Sequence, residues 1–475
     1  MDKKDIPFLS ATELGSRIQS REISPVEAVE AYLARIEQVE PKLNSYITVL
    51  ADEALEAARE AESEIAGGNY RGVLHGVPVG VKDQIHTKGI RTSDASKLRE
   101  NFVPEEDATV VANLKKAGAI VLGKTNLTEF ALGDPITSAF GVTRNPWDLE
   151  RNPGTSSTGS GAATSAFLCA TSLGEDTGGS VRGPAANCGL VGLRPSWGRF
   201  SRYGVDGASW SFDTIGPISR TAADCAATIG AIAGRDDKDP YTWDTPVPDY
   251  LASLTGDIRG IKIGIVKELL DPDLCGVTAQ TRDAVIAASN VMAELGADVE
   301  EVSLPLAPHS GPVMRTLTST ERVSIHPDWL KERPQDFHFN TRVAFMTGHL
   351  IPSQTYYKAQ KLRAMIRRQV LEAFERFDVL VQPCSAGPAG LLDLTPGVHS
   401  KEQARNALTE GIFRGLYSLS GTPALSICCG YTSDGEGGLP LAVQIAGRPF
   451  DEATVLRVAH AYEQATPWHN RRPPI

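Results

Sequence analysis

The sequence predicts an α/β fold in which a largely parallel sheet is covered by helices on both faces. Three observations point there. From about Leu74 onward, short apolar strands alternate with amphipathic helices, the arrangement that buries a sheet between two helical layers. No self-similar period of about 20 to 50 residues marks a solenoid or a propeller. Of the 475 residues, 41% are apolar and 22% charged, an ordinary globular balance that supplies a sizeable core and fits one large domain.

Taken in order, the first 65 residues read as helical. Ser10 followed by Glu13, and Ser24 followed by Pro25 and Glu27, are capping-box starts, in which a hydroxyl satisfies an orphan N–H of the first turn. Val29, Tyr32, Leu33 and Ile36 then fall on one buried stripe of the second helix. A strand follows through Val79 and Val81, a helix near Ala108 to Lys116, and a strand from Ala119 to Leu122. From Gly154 to Gly189 the chain is unusually rich in Gly, Ser, Thr and Ala. Beyond it come a strand from Ile261 to Val266, a helix ending near Gly296 and a long helix from about Gln354 to Phe377. Strands at Val379 to Val381, Ala424 to Cys428 and Leu441 to Ile445 precede a final helix from about Asp451 to Glu463.

Charge and composition exclude several classes. Lys and Arg number 47 against 58 Asp and Glu, a net charge of −11 with no offsetting basic run, so a phosphate-tracking surface for nucleic acid is not expected. The N-terminus lacks the apolar core of a signal peptide and no stretch approaches the roughly 18 apolar residues of a membrane span, so a soluble cytoplasmic protein is expected. Seven cysteines without a C-x-x-C pair read as reduced core thiols. The histidines show no H-E-x-x-H or H-x-H spacing, so no metal is implied.

Gly118 to Thr125 matches the phosphate-loop pattern G-x-x-x-x-G-K-[ST] letter for letter. Its context argues otherwise. A phosphate cradle needs a flexible loop between its glycines, whereas Ala119 to Leu122 is a β-branched apolar run, the mark of a buried strand. The tract around Asn152 to Ala162 resembles a flexible linker in composition, yet it continues into core-forming sequence and then a second small-residue turn, Asp176 to Arg182. Two such turns separated by one helix can set their hydroxyls side by side. Successive glycines there can aim several backbone N–H groups at one point, as an oxyanion requires. No G-x-S-x-G elbow or nearby histidine supplies a base. Lys82, at the end of an apolar strand, fits a solvated rim lysine taken alone, but beside glycine-rich walls it becomes a candidate neutral base.

Together these segments resemble the amidase signature family: Gly76 to Asp83, Gly123 to Phe130, Asn145-Pro-Trp147, Gly154 to Ser157, and Asp176 to Pro195, in the family's order over about residues 70 to 220. The capped N-terminal helices, Gly421-Thr-Pro423 and Gly438-Leu-Pro440 fit as well. The resemblance implies a single α/β/α domain over residues 1–475 around a central mixed, mostly parallel twisted sheet. Residues 1–68 would be an N-terminal helical segment, 70–220 the catalytic core, and 300–400 a variable pocket segment with Pro308, His309 and His338. It further implies a Ser-cisSer-Lys triad in which Ser180 is the nucleophile, Ser156 (entered by a cis peptide) the bridge, and Lys82 the base. The backbone N–H groups of Thr177, Gly178, Gly179 and Ser180 would form the oxyanion hole, with Ser157, Asp176 and Arg182 in support and no cofactor.

The chain departs from the family at Thr155 and Thr158, which replace glycines, and at Ser418, which replaces an asparagine. Arg342 resembles the arginine that clamps the substrate carboxylate in glutamine-using amidotransferases, while the position of its acidic partner falls near Gly411, beside Glu410. The expectation is therefore a stand-alone hydrolase of amides, extending to carbamates (urethanes) or esters, acting on a small molecule and able to form a homodimer. The alternative is the glutamine-hydrolysing component of a tRNA-dependent amidotransferase, working with a partner chain. A nucleotide-binding protein using Gly123 to Thr125 is the third class.

Overall fold

The computed structural model describes residues 2–325, 327–401, 411–432 and 438–475. Its centre is one sheet, whose strands in chain order are β1 (Tyr46–Val49), β2 (Pro78–Lys82), β3 (Ile120–Thr125), β4 (Thr171–Glu175), β5 (Val191–Arg194), β6 (Ile215–Ser219), β7 (Lys262–Val266), β8 (Asp298–Val302), β9 (Val379–Pro383), β10 (Ala424–Tyr431) and β11 (Pro440–Gly447). Across the sheet they run β1-β3-β2-β4-β6-β5-β10-β11-β9-β7-β8. Nearly every residue of the central strands is buried, because helices cover both faces.

The sheet is mixed, as expected, but not mostly parallel. β2 is parallel to β3 and β4, and β7 to β8 and β9, while the remaining neighbours are antiparallel. Strand direction depends on how each connection returns, which alternation of elements alone does not specify. The N-terminal segment also carries a strand. β1 pairs antiparallel with β3 at one edge, so residues 1–68 are not helical throughout.

The helical reading of that segment is otherwise realised. Ser24 accepts from the Glu27 N–H and Glu27 accepts from the Ser24 N–H, both at 3.1 Å, at the start of the helix Pro25–Leu43. Val29, Tyr32 and Ile36 are buried on its inner stripe, and Leu33 packs partly buried beside them. The seven cysteines are free and buried. No described helix is long and apolar enough to cross a membrane.

β3 continues through Gly123, Lys124 and Thr125, so the phosphate-loop match is strand rather than loop. Lys124 is fully buried and donates to Ile85 O (2.5 Å), Thr92 Oγ1 (2.9 Å) and Thr87 Oγ1 (3.2 Å), with burial pushing its ammonium down to about 8. All its protons are directed at protein oxygens, leaving none for a phosphate.

Candidate active site

The parallel trio β3-β2-β4 brings the C-terminal ends of three strands to one edge of the sheet, the edge at which open α/β sheets bind ligands. Lys82 ends β2 and Glu175 ends β4. The helix Thr158–Ser165 leaves this edge and β4 returns to it, so the turns before the helix and after the strand meet, with Ser157 N donating to Ser180 O at 3.4 Å. Gly154 permits the approach: a Cβ there would lie 2.5 Å from the Pro184 backbone, and its φ of +91° lies in the left-handed region.

Lys82 Nζ donates to Ser156 Oγ at 2.8 Å, and both residues are fully buried. The peptide between Thr155 and Ser156 is cis. Burial lowers the Lys82 pKa by disfavouring the charged amine, an effect opposed chiefly by Glu175, whose Oε2 lies 3.5 Å from Nζ. Ser180 stands on the second turn, half-buried, where its residue lines an open cavity.

That turn is held by one carboxylate. Asp176 Oδ1 accepts from Gly179 N (2.8 Å), Arg182 Nη2 (3.0 Å) and Arg194 Nη1 (3.1 Å). Its Oδ2 accepts from Arg182 Nε (3.1 Å), Val181 N (3.2 Å) and Arg182 N (3.4 Å). Burial alone would raise this carboxyl, but Arg182 and Arg194 outweigh it and hold Asp176 well below the usual carboxylate range. Arg182 is tied outward as well, donating to Gln444 Oε1 at 2.7 Å, Arg414 O at 2.9 Å and Ser418 Oγ at 2.9 Å. The serine at the family's asparagine position is thus an acceptor for the same guanidinium.

The oxyanion reading changes in one member. The Gly179 N–H is directed at Asp176, so it does not face the cavity as a free donor. The N–H groups of Thr177, Gly178 and Ser180 have no acceptor among the described residues. The left-handed φ of +122° at Gly179 lets the turn reverse there.

Beneath Thr177 lie two buried acids that sequence reasoning missed. Thr177 Oγ1 is 2.7 Å from Glu175 Oε1 and 2.8 Å from Asp213 Oδ1. One hydroxyl proton cannot serve two carboxylates at once, so the two acids compete for it. Burial and the charge of Glu175 push Asp213 up to about 8, against the N–H groups of Ser209 and Ala208 that favour its anion.

The model of the family described as Amidase matches residues 27–456. The chain belongs to the Amidase family. It is 42% identical over 493 aligned positions to the A subunit of the glutamyl-tRNA(Gln) amidotransferase of Geobacter metallireducens, covering 98% of each chain. A solved structure described as a vestigial protein complex that reveals the origins of an s-triazine catabolic enzyme is 30% identical, with a TM-score of 0.88 over 96% of this chain and 98% of that one. The native peptide amidase of Stenotrophomonas maltophilia is 32% identical, with a TM-score of 0.82 over 98% of each chain. As an Amidase-family enzyme, the chain is a hydrolase of carbon–nitrogen bonds.

In this Amidase-family chain the cavity at Ser180 has a volume of about 140 Å³. Its floor is the 177–180 turn, and its far wall is one face of the helix Ser310–Arg322, where Gly311, Arg315, Thr318 and Arg322 recur at helical spacing. Residues 300–400 therefore do contribute to the pocket, but Pro308, His309 and His338 are not among its lining residues. Arg342 is not brought there either. It lies on the helix Phe339–His349 and donates Nη1 to Pro334 O at 3.2 Å. Glu410 lies outside the described residues. The guanidiniums that line the cavity belong to Arg315, Arg322 and Arg414, and no composition or spacing signal singled them out.

Proposed function

We propose that the chain cleaves the C–N bond of a small amide by acyl transfer, with Ser180 as nucleophile, Ser156 as proton bridge and Lys82 as base. The observation that carries this reading is the desolvated Lys82 amine bonded to Ser156 Oγ at 2.8 Å at the edge where the nucleophile turn arrives. With the amine neutral, its lone pair can turn to Ser156 Oγ across the same 2.8 Å and accept the hydroxyl proton. Lys82 takes it as Ser156 takes the proton of Ser180, whose oxygen attacks the carbonyl carbon. The N–H groups of Thr177, Gly178 and Ser180 receive the developing oxyanion, each contributing about 3 kcal/mol at the transition state. Run in reverse, the same path protonates the departing nitrogen, and water releases the acid. Ser157, Asp176 and Arg182 position the two turns, and no cofactor enters.

The substrate's setting has two readings. A stand-alone hydrolase of amides, with carbamates or esters open to the same attack, is supported by the likeness to a peptide amidase. The glutamine-hydrolysing component of a tRNA-dependent amidotransferase is supported more strongly, by 42% identity over nearly the whole of a chain with that name. A panel of primary amides, anilides, carbamates and glutamine, assayed with the pure chain and its Ser180→Ala, Ser156→Ala and Lys82→Met variants, tests the first step. Each substitution is expected to abolish turnover in a folded protein, and normal turnover in any of them removes that residue's role. Glutamine hydrolysis that appears only with copurifying partner chains selects the second setting. Robust activity of the isolated chain on simple amides selects the first.

A further inference from the structure

The Lys82 amine is flanked by more than the serine it bonds. β2 and β4 are parallel neighbours whose ends stand side by side, so Lys82 and Glu175 meet with both side chains fully buried. Three oxygens surround the Lys82 nitrogen: Ser156 Oγ at 2.8 Å, and the backbone O and carboxylate Oε2 of Glu175, each at 3.5 Å. Oε2 is shut off from solvent and has no hydrogen-bond partner among the described residues. The Thr177 hydroxyl, 2.7 Å from Oε1, holds the carboxylate with its other oxygen toward the amine.

A buried carboxylate oxygen left without a donor is costly, and the cost falls when the group beside it becomes a cation. A neutral amine has two N–H groups and one lone pair. With both N–H groups turned to the two Glu175 oxygens, the lone pair is left for Ser156, the arrangement that proton acceptance needs. Once Lys82 has taken the Ser156 proton it is an ammonium, and its attraction to Oε2 strengthens as the oxyanion develops. An interaction stronger in the transition state than in the ground state raises the rate without tightening substrate. The other charged groups around this carboxylate are committed elsewhere: Asp176 to Arg182 and Arg194, Asp213 to the N–H groups of Ser209 and Ala208, and Arg194 to Asp176 and Phe212 O. Arg322, whose field reaches Asp213 and Glu175, lines the cavity.

We infer that Glu175 is a positioning residue that acts through Lys82, turning the amine's lone pair to Ser156 and neutralising the ammonium that forms as the Ser156 proton arrives. This inference rests on the reading of Ser180 as nucleophile, and it adds a fourth member behind the base. Glu175 keeps its charge throughout. The proton stays on the Lys82 nitrogen while the bond from Ser180 to the acyl carbon forms, and it returns through Ser156 to the departing nitrogen as the C–N bond breaks.

The test is the rate at which phenylmethylsulfonyl fluoride modifies Ser180, followed by mass spectrometry across a pH series, beside kcat and KM on whichever amide of the panel turns over. Glu175→Gln is expected to lower the plateau of modification and kcat about a hundredfold with KM changed less than about threefold, and to move the acid limb to lower pH. Glu175→Asp, whose carboxylate is drawn back from the amine, should recover about tenfold of that loss. A merely structural brace would lower the plateau without moving the limb, and a charge that only tunes Lys82 would move the limb without lowering the plateau; either result overturns the role. If circular dichroism shows Glu175→Gln unfolded, Glu175→Asp decides, and a plateau equal to that of the intact protein refutes the inference. Modification of Ser180 without turnover of any amide removes the hydrolase reading and still decides Glu175, while turnover without modification leaves kcat to decide it. Neither one in the intact protein refutes both.

Discussion

Asp176→Asn keeps the shape of the side chain and removes its charge, which isolates what that charge does. The carboxylate accepts six hydrogen bonds inside a dry region, from two guanidiniums and three backbone N–H groups. An asparagine keeps one acceptor oxygen and turns an NH₂ group toward donors on the other side. Arg182 and Arg194 are then buried without a counter-charge, and breaking one member of such a group costs about 3 to 5 kcal/mol. At 1.36 kcal/mol per tenfold, a loss near 4 kcal/mol is about a thousandfold in the folding equilibrium. Urea unfolding at pH 7, followed by fluorescence and circular dichroism, should show a clearly lower midpoint for Asp176→Asn. Adding Arg182→Met should recover part of the loss, since an apolar replacement removes one of the stranded charges. Because the folded state holds this carboxyl below its unfolded value, its stabilisation is present above about pH 4 and is lost as the pH falls further, so the two curves should converge in acid. A variant within about 1 kcal/mol of the parent at pH 7, beyond the ordinary scatter of surface substitutions, would refute the reasoning.

Three further outcomes follow from neighbouring groups. Glu175→Gln removes the charge that most opposes the lowering of Lys82, so the acid limb of the kcat/KM profile should move to lower pH; an unmoved limb would exclude Glu175 from control of the base. Gly179→Ala sets a Cβ 2.8 Å from Arg414 Cβ at a left-handed φ, and the displaced turn should lower kcat about a hundredfold in a protein that still folds, as stopped assays and circular dichroism would reveal. Glu463, pushed up to about 8 by burial, is protonated in the folded chain across neutral pH while the unfolded chain ionises above about 4.5. The folded state thus loses ground as the pH rises from about 5 to 8, and Glu463→Gln should escape that loss, widening its advantage in thermal midpoint over this range.

The placement of the candidate site was legible: the buried Lys82–Ser156 contact and the meeting of the two small-residue turns lie where the motifs pointed. Lys82, Ser156 and Ser180 belong to motifs whose glycines and serines are poor core formers and stand out against an apolar background. The capped helix Pro25–Leu43 was equally plain, since Ser24, Pro25 and Glu27 each act within one turn. What escaped detection depends on long-range pairing. β1 looks like the end of a helical segment until it meets β3, and the direction of β5 and β6 is set by how the chain returns. Asp213 and Glu175 are far apart along the chain and form a pair only because β4 and β6 run antiparallel, bringing Glu175 opposite Ile215. Arg315 and Arg322 sit in a segment with no motif, and only the fold brings them to the cavity beside Ser180.

The tie between Arg182 and Gln444 has a bearing on how the protein comes into being. The turn that carries Ser180 is synthesised before the midpoint of the chain, but one of its anchors resides on β11, near the end. A ribosome-bound nascent chain lacking β11 would possess Ser180 without the full brace around it. The brace around this turn is therefore complete only once β11 has been made.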